Sequence, residues 1–239
     1  MEISVKKQKR IVLKLSGEAL AGEKKTGFDE DTCIDVAKQV KRLVEAGVQV
    51  AIVIGGGNFW RGRSSETIDR TKADQIGMLA TVMNCIYVSE IFRFVGIQTS
   101  IYTPFLCGTA TELFSKDRAM SDLTDGKVVF LAGGLGHPYF STDTPTALRA
   151  IELEADMILM AKNIDGVYDS DPKKNPSAKK YNTVSLKELI DRGLNVIDMT
   201  AAVLCMENKV SLLIFSLNEP NSIYTNAFEK CTGTVITNE

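Results

Sequence analysis

Residues 50–58 read VAIVIGGGN, a short apolar run followed by three consecutive glycines and an asparagine. A continuous β-branched run of this length is typical of a strand buried on both faces of a parallel sheet. Residues without side chains let successive backbone N–H groups approach an anion, so the glycines predict a phosphate-binding loop at the strand end. The alternative is a tight turn at positive φ, which a single glycine would satisfy.

Patterns typical of strands and helices alternate along the rest of the chain. Further β-branched runs occupy residues 11–15, 99–102, 128–131, 157–160 and 212–215. Between them, apolar residues recur at helical spacing over residues 33–44 and 76–87, on one face of each predicted helix. This alternation predicts an α/β fold with a mainly parallel sheet between helices. We expect a single domain over residues 1–239, in which the residues after about 160 form a distinct lobe.

Composition excludes several classes of protein. The chain is 44% hydrophobic and 24% charged, with a net charge of −2, so no basic field is present to hold a nucleic acid. Polar residues 1–10 precede an apolar strand of only five residues, too short for a signal-peptide core or a membrane span, so we predict a cytoplasmic protein without a membrane partner. The five cysteines are far apart and there is one histidine, which predicts reduced thiols and no zinc site.

Four predicted strands end in loops of unusual chemistry: KLSG at residues 14–17, GGGN at 55–58, GGLGH at 133–137 and KNIDG at 162–166. Ligands of open α/β sheets bind beyond the carboxyl ends of the strands, so we expect the site there. Lys14 would direct an ammonium group into this crevice, because burying a strand lysine is otherwise costly. The alternative is an edge-strand lysine that reaches water.

Three acidic and basic residues accompany these loops. Asp143, in STDTP at residues 141–145, is predicted to open a helix that runs through Glu154. The predicted role of Thr142 or Asp143 there is a helix cap, part of an anion site at the helix N-terminus, or both. Arg61 and Asp74 flank a polar stretch predicted to be a surface loop, and the alternative for each is a solvated surface charge.

Several nucleotide-binding classes are excluded by missing motifs. The chain has no G-x-x-x-x-G-K-[ST] sequence, and no G-x-G-x-x-G follows the first strand. The catalytic-loop motif of protein kinases is also absent. The single histidine, His137, leaves little room for a Ser-His-Asp hydrolase.

Taken together, these motifs resemble those of the bacterial uridylate kinases over nearly the whole chain. Besides the glycine loops, the resemblance is carried in the family's order by RIVLKLSGEAL at residues 10–20, GMLATVMN at 77–84, PYFSTD at 138–143, DGVYDSDP at 165–172 and GTVI at 233–236. It implies the amino-acid-kinase fold, a three-layer sandwich with a central, mainly parallel eight-stranded sheet, assembled as a homohexamer. It also implies transfer of the γ-phosphoryl group of ATP to UMP, with Mg²⁺ as Mg-ATP, for pyrimidine nucleotide synthesis.

The resemblance further implies a role for each site residue. Lys14, Arg61 and Asp143 would be catalytic: the two cations stabilise the transferring phosphoryl group and Asp143 orients them or the metal. Residues implied to bind ATP are Lys14, Leu15, Ser16, Gly17, Gly57, Arg61, Asn163, Tyr168 and Asp171. Those implied to bind UMP are Gly56, Asp74, Leu135, Gly136, His137, Pro138, Tyr139, Phe140, Ser141 and Thr142. No protein ligand to the metal and no general base are assigned, since the attacking UMP phosphate is already ionised. Residues 1–160 would form the UMP-binding and oligomerisation lobe, and residues 161–239 the ATP-binding lobe.

The chain departs from the family at a few positions. Leu135 and His137 stand where many relatives carry threonine and asparagine, so two side-chain hydrogen bonds to UMP would differ. Lys162 is a further candidate for contact with ATP phosphate. Ser89 and Ser100 lie where members activated by GTP carry basic side chains, which predicts weak or absent activation by GTP.

Two rival functions remain at the level of sequence. One is another amino-acid kinase that phosphorylates a carboxylate or a carbamate, against which residues 74–84 and 138–143 argue. The other is a nonenzymatic nucleotide sensor, against which the joint presence of Lys14, Arg61 and Asp143 argues.

Overall fold

The computed structural model of the chain describes residues 8–61 and 67–238. Its strands are β1 Arg10–Leu15, β2 Gln49–Ile54, β3 Thr99–Thr103, β4 Glu112–Leu113, β5 Val128–Leu131, β6 Met157–Lys162, β7 Thr183–Ser185, β8 Ser211–Ser216 and β9 Thr234–Thr237. Its α-helices are α1 Gly17–Leu20, α2 Glu30–Glu45, α3 Arg70–Phe94, α4 Lys116–Thr124, α5 Asp143–Glu152, α6 Leu186–Asp191, α7 Met199–Glu207 and α8 Ser222–Tyr224. Part of the polar stretch predicted as a surface loop, residues 62–66, lies outside the described residues.

The strands form one sheet in the order β4-β3-β5-β2-β1-β6-β8-β9-β7. All neighbouring pairs are parallel except β8 with β9. The six predicted strands and the mainly parallel sheet are therefore confirmed. Nine strands are present in the described part of the chain instead of the expected eight. The shortest, β4, is an exposed two-residue strand that pairs with β3 at the sheet edge.

The order of the strands brings the four unusual loops together. The strands β5, β2, β1 and β6 that precede them are consecutive neighbours at the centre of the sheet. Because these strands are parallel, their carboxyl ends lie at the same edge. Loops that are as many as 148 positions apart in the chain, from residue 14 to residue 162, therefore meet there.

Alternation along β1 assigns the two faces of the sheet. Ile11, Leu13 and Leu15 pack in one core cluster with residues of α2 and α3. Val12 packs in a second cluster on the opposite face, with residues of α4, α5 and α7. A period of two puts Lys14 on the same face as Val12, toward the helices that cover this second side.

Helix α3 packs only one of its sides on the sheet. Its buried residues include Cys85, Val88 and Phe92, which join the core cluster under β2 and β5. Of the six apolar residues that the sequence places on one helix face, Ala80 is buried and Tyr87 packs against the core cluster. The other four are exposed, as is Phe94 at the end of the helix: Ile76, Leu79, Met83 and Ile86. Within the described residues, α3 is also the one helix with the length and composition to cross a membrane, although 44% of its apolar window is buried inside the protein.

The cysteines are all free, as predicted. Burial raises the pKa of the Cys33, Cys85 and Cys205 thiols to about 12, so these side chains behave as small apolar groups.

Candidate active site

Lys14 lies in the middle of the sheet and is directed inward. It pairs in register with Val53 on one side and Met160 on the other, and the residue is 8% exposed. Its Nζ is 3.0 Å from Oδ1 of Asp143. The alternative of an edge-strand lysine that reaches water is therefore wrong.

Asp143 is the first residue of α5, and its side chain is 12% exposed between two lysines. Nζ of Lys162, at the end of β6, is 3.5 Å from Oδ2 of Asp143. Burial alone would raise the pKa of Asp143, but the charges of Lys14 and Lys162 outweigh it and hold this pKa below its usual value. Burial lowers the pKa of Lys162, and Lys14 adds to this effect while Asp143 opposes it. Lys14, Asp143 and Lys162, termed here the charge cluster, join three elements at the loop edge of the sheet.

Helix capping does not account for these residues. Thr142 occupies the cap position of α5 but makes no side-chain cap hydrogen bond. The backbone N–H of Asp143 donates to Oγ of Ser141 at 3.1 Å, while the Asp143 carboxylate faces the lysines. Helix α5 ends at Glu152, two residues before the predicted end, and Glu154 adopts a positive φ of 53° in the turn that follows.

The glycine loop after β2 packs closely against its neighbours. Gly55, Gly56 and Gly57 do not have positive φ, so the alternative of a turn that requires it is wrong. A Cβ on Gly56 would lie 2.9 Å from the Gly77 carbonyl oxygen. Likewise, a Cβ on Gly17 would lie 2.3 Å from the Gly55 carbonyl oxygen. The loop therefore needs glycine where α3 and the β1 loop approach it, and phosphate binding stays a prediction.

A buried pair of asparagines fixes this loop to α3. Nδ2 of Asn84 donates to the Gly55 carbonyl at 2.7 Å and to Oδ1 of Asn58 at 2.7 Å. Nδ2 of Asn58 donates to the Gly27 carbonyl at 2.8 Å. Both side chains are almost fully buried, so each must be hydrogen-bonded to avoid a desolvation cost.

Arg61 lies at the mouth of the site, where it forms an ion pair with Glu18. The Glu18 carboxylate also covers Gly57, because a Cβ at that glycine would lie 3.0 Å from Oε1 of Glu18. Glu18 was not predicted as a site residue, although it lies within the RIVLKLSGEAL stretch. Its position shows that a carboxylate shares the entrance with Arg61.

A cavity of about 350 Å³ opens between α3 and residues 137–142. Its lining residues are Gly56, Trp60, Arg61, Ala73, Asp74, Gly77, Met78, Thr81, His137, Phe140, Ser141 and Thr142. Six of the residues predicted to bind UMP are among them: Gly56, Asp74, His137, Phe140, Ser141 and Thr142. The others, Leu135, Gly136, Pro138 and Tyr139, lie in the same loop but do not line the cavity. A volume of this size is in the range of small-molecule sites.

Two residues of α3 fix the loop that faces it. Oδ2 of Asp74 accepts hydrogen bonds from the Tyr139 backbone N–H and from Nε of Arg70, both at 2.8 Å. Oγ1 of Thr81 accepts from the Gly133 backbone N–H at 2.8 Å. Thr81 was missed at the level of sequence, yet it lies seven residues after Asp74, a spacing that places both on one helix face.

Three of the residues predicted to bind ATP lie in the loops after β6. Asn163 is exposed, and the Tyr168 hydroxyl donates to Asp165 at 2.9 Å. Oδ1 of Asp171 accepts from the Lys173 backbone N–H at 3.0 Å, as in a turn. These three side chains are not among the lining residues of the cavity. Their role toward ATP stays a prediction.

The chain is similar in sequence and in structure to known proteins. The model of the amino acid kinase family matches residues 9–216. The UMP kinase of Bacillus anthracis is similar with a TM-score of 0.94 and 33% identity, over 98% of each chain. The UMP kinase of Ureaplasma parvum has a TM-score of 0.91 and 34% identity over 97% of this chain and 100% of that one. The uridylate kinase of Archaeoglobus fulgidus is more distant, with a TM-score of 0.74 and 28% identity over 95% and 99%. The fold and the family implied by the sequence motifs are confirmed: the chain belongs to the amino acid kinase family.

Proposed function

We propose that the chain is a UMP kinase, which transfers the γ-phosphoryl group of ATP to UMP and releases UDP and ADP. The observation that carries this proposal is its 33–34% identity, over nearly full length, to two UMP kinases. The buried charge cluster supports it, because the cluster stands beside a cavity large enough for a small ligand. This is the arrangement expected where a phosphoryl group is transferred between two bound nucleotides.

Phosphoryl transfer requires mainly that the protein align the two nucleotides and neutralise the charge of their phosphates. We assign the donor phosphates to Lys14 and Arg61, which neutralise the charge that moves toward the leaving ADP. Asp143 holds the ammonium groups of Lys14 and Lys162 in fixed directions, since both are within 3.5 Å of its carboxylate. No general base is required, because the UMP phosphate that attacks is already an anion.

We assign UMP to the cavity between α3 and the loop at residues 137–142. The exposed side chain of Phe140 lines this cavity together with Ser141, Thr142 and Gly56. His137 also lines it, so an imidazole stands where the family commonly has an amide. Asp74 contributes chiefly by holding the Tyr139 backbone in place at 2.8 Å.

Magnesium is proposed to enter with ATP. Among residues 8–61 and 67–238, no group of three or more His, Cys, Asp or Glu side chains is placed to hold a metal ion. Mg²⁺ commonly keeps several waters and is held by nucleotide phosphates with one or two carboxylates. Asp143 is the carboxylate that would approach such a complex, and bound Mg²⁺ would neutralise charge on the phosphates.

The proposed assembly is a homohexamer and the proposed location is the cytoplasm, where UMP and ATP are used for pyrimidine nucleotide synthesis. The exposed apolar face of α3 supports assembly, because Leu79, Met83 and Phe94 are 52%, 48% and 79% exposed. Monomeric proteins rarely leave such a contiguous face uncovered. Sedimentation velocity tests the assembly, and a monomer would refute it.

A coupled assay of ADP release with Mg-ATP tests the activity. The acceptors to compare are UMP, CMP, dUMP, GMP, acetylglutamate, aspartate and carbamate, with Lys14→Ala as the control variant. We expect turnover on UMP that Lys14→Ala abolishes. Turnover on a carboxylate or on carbamate would favour the rival amino-acid kinases, and binding of UMP without turnover would favour a nucleotide sensor.

A further inference from the structure

Asp198, the residue before α7, connects the two halves of the chain. Its Oδ1 accepts from the Ala201 backbone N–H at 2.8 Å, which caps α7. The same carboxylate accepts from Oγ1 of Thr144 at 3.1 Å and from the hydroxyl of Ser141. Ser141 precedes α5 and Thr144 lies in its first turn, more than 50 positions earlier in the chain. One carboxylate therefore fixes the start of α5 to the start of α7.

These contacts lead directly to the charge cluster. Oγ of Ser141, which donates to Asp198, accepts from the backbone N–H of Asp143 at 3.1 Å. Two residues before Asp198, the carbonyl of Val196 accepts a hydrogen bond from Nζ of Lys162. The segment at residues 196–198 thus holds Lys162 directly and Asp143 through one hydroxyl.

We propose that Asp198 is a positioning residue for phosphoryl transfer, which fixes Asp143 and Lys162 in the geometry that the reaction needs; this rests on the function proposed above. Asp198 is not itself assigned to the substrates. It acts through Ser141 and Thr144, which have no other carboxylate partner among their described contacts. Loss of its carboxylate would release the first turn of α5 while Lys14 stays fixed in the sheet.

The test is Asp198→Ala with Asp29→Ala as a matched control. Asp29 caps α2 in the same manner, accepting from the Thr32 backbone N–H at 2.9 Å and from the Thr32 hydroxyl at 2.8 Å. Its partners are local, whereas those of Asp198 come from another element. We expect Asp198→Ala to lower kcat for UMP about 10- to 100-fold with a smaller change in either KM, because small misplacements of reacting groups act on kcat. Asp29→Ala should lower Tm but leave kcat within about twofold of the wild type.

Two further variants separate positioning from folding. Asp198→Asn retains an oxygen for Ala201, and the hydroxyls of Ser141 and Thr144 can rotate to accept from its amide, so most of kcat should return. Thr144→Val removes one hydroxyl at constant shape from a residue that is 2% exposed. We expect it to lower kcat several-fold, and less than additively with Asp198→Ala, because both break one contact. If Asp198→Ala does not fold, the kcat of Thr144→Val still tests whether the contact between Asp198 and α5 supports turnover.

The outcomes that overturn the proposal are distinct from those that overturn the function. Unchanged kcat in Thr144→Val together with equal kcat losses in Asp198→Ala and Asp29→Ala would make Asp198 only a helix cap. If Asp198→Ala raises the KM for UMP and leaves kcat unchanged, Asp198 contributes to UMP binding at the cavity instead. Hydrogen exchange of residues 141–146 supplies a readout without substrate. If Asp198→Ala and Thr144→Val leave this exchange unchanged, the proposal that Asp198 fixes the start of α5 is refuted. Absence of UMP turnover in the wild type refutes the kinase function alone.

Discussion

The substitution Asp143→Asn probes the charge cluster most directly. It keeps the shape of the side chain but removes the negative charge that lies 3.0 Å from Nζ of Lys14 and 3.5 Å from Nζ of Lys162. The lysine side chains are only 10% and 18% exposed, so water cannot replace the lost carboxylate. Two ammonium groups would then face each other without the carboxylate that lies between them.

The expected loss of stability follows from this burial. Removing one partner of a buried ion pair costs about 3–5 kcal/mol. The asparagine oxygen still accepts a hydrogen bond, so we take the lower value, about 3 kcal/mol, and a chain of this length then loses roughly 6–12 °C in Tm. Because Asp143 is also proposed to orient the groups that neutralise the transferring phosphoryl group, kcat should fall about 100-fold or more.

Asp122→Asn is the matched control. Its carboxylate is 14% exposed, accepts from Nζ of Lys127 and the Tyr102 hydroxyl, both at 2.7 Å, and is remote from the cavity. Thermal unfolding and the ADP-release assay are run on both variants. We expect both to be less stable and only Asp143→Asn to lose turnover. If Asp143→Asn keeps kcat within about threefold of the wild type, the role given to the charge cluster is refuted.

Three further predictions concern the same region. The pKa of the Asp143 carboxyl lies below 3.8 in the folded state. The ionised carboxylate therefore stabilises the fold above pH 3.8, and this stabilisation is lost as the pH falls through the folded pKa. In urea unfolding, the free energy of unfolding should fall more steeply below about pH 4 in the wild type than in Asp143→Asn. Gly77→Ala should raise the unfolding free energy by about 0.5–1 kcal/mol, because its Cβ meets only Cδ1 of Trp60 at 3.7 Å, yet raise the KM for UMP by narrowing the cavity. Asn84→Ala should lower the free energy of unfolding in urea by about 2–4 kcal/mol, since it leaves the Gly55 carbonyl buried without its donor; a loss below about 1 kcal/mol would contradict this.

The sequence predicts the central strands and the place of the site because the signals are local. A continuous β-branched run such as residues 50–54 is buried by its own composition, and the glycines that follow it mark the strand end. Lys14 and Asp143 were found in the same manner, as charges at the ends of apolar elements. Rules of strand order then bring these positions together without knowledge of side-chain contacts.

The remaining features depend on contacts between distant segments. Asp198 contacts Ser141 and Thr144 across 57 and 54 positions, and nothing in its neighbourhood in the sequence reports that distance. The pairing of Asn58 with Asn84 spans 26 positions and is set by how α3 crosses the glycine loop. Periodicity likewise predicts that α3 has an apolar face, but it does not tell which face the sheet covers.

Helix α3 contributes residues both to the cavity and to an exposed apolar face, and these two surfaces are separated only by the helix diameter of about 10 Å. Leu79 is exposed on the same turns as Met78 and Thr81, which line the cavity, so a charge placed at Leu79 would disturb both the proposed assembly and the cavity. Phe94 lies 13 residues beyond Thr81, about 20 Å further along the axis. A charge at Phe94 would therefore dissociate the proposed assembly while leaving the cavity wall intact, and would show whether a single subunit can turn over its substrates.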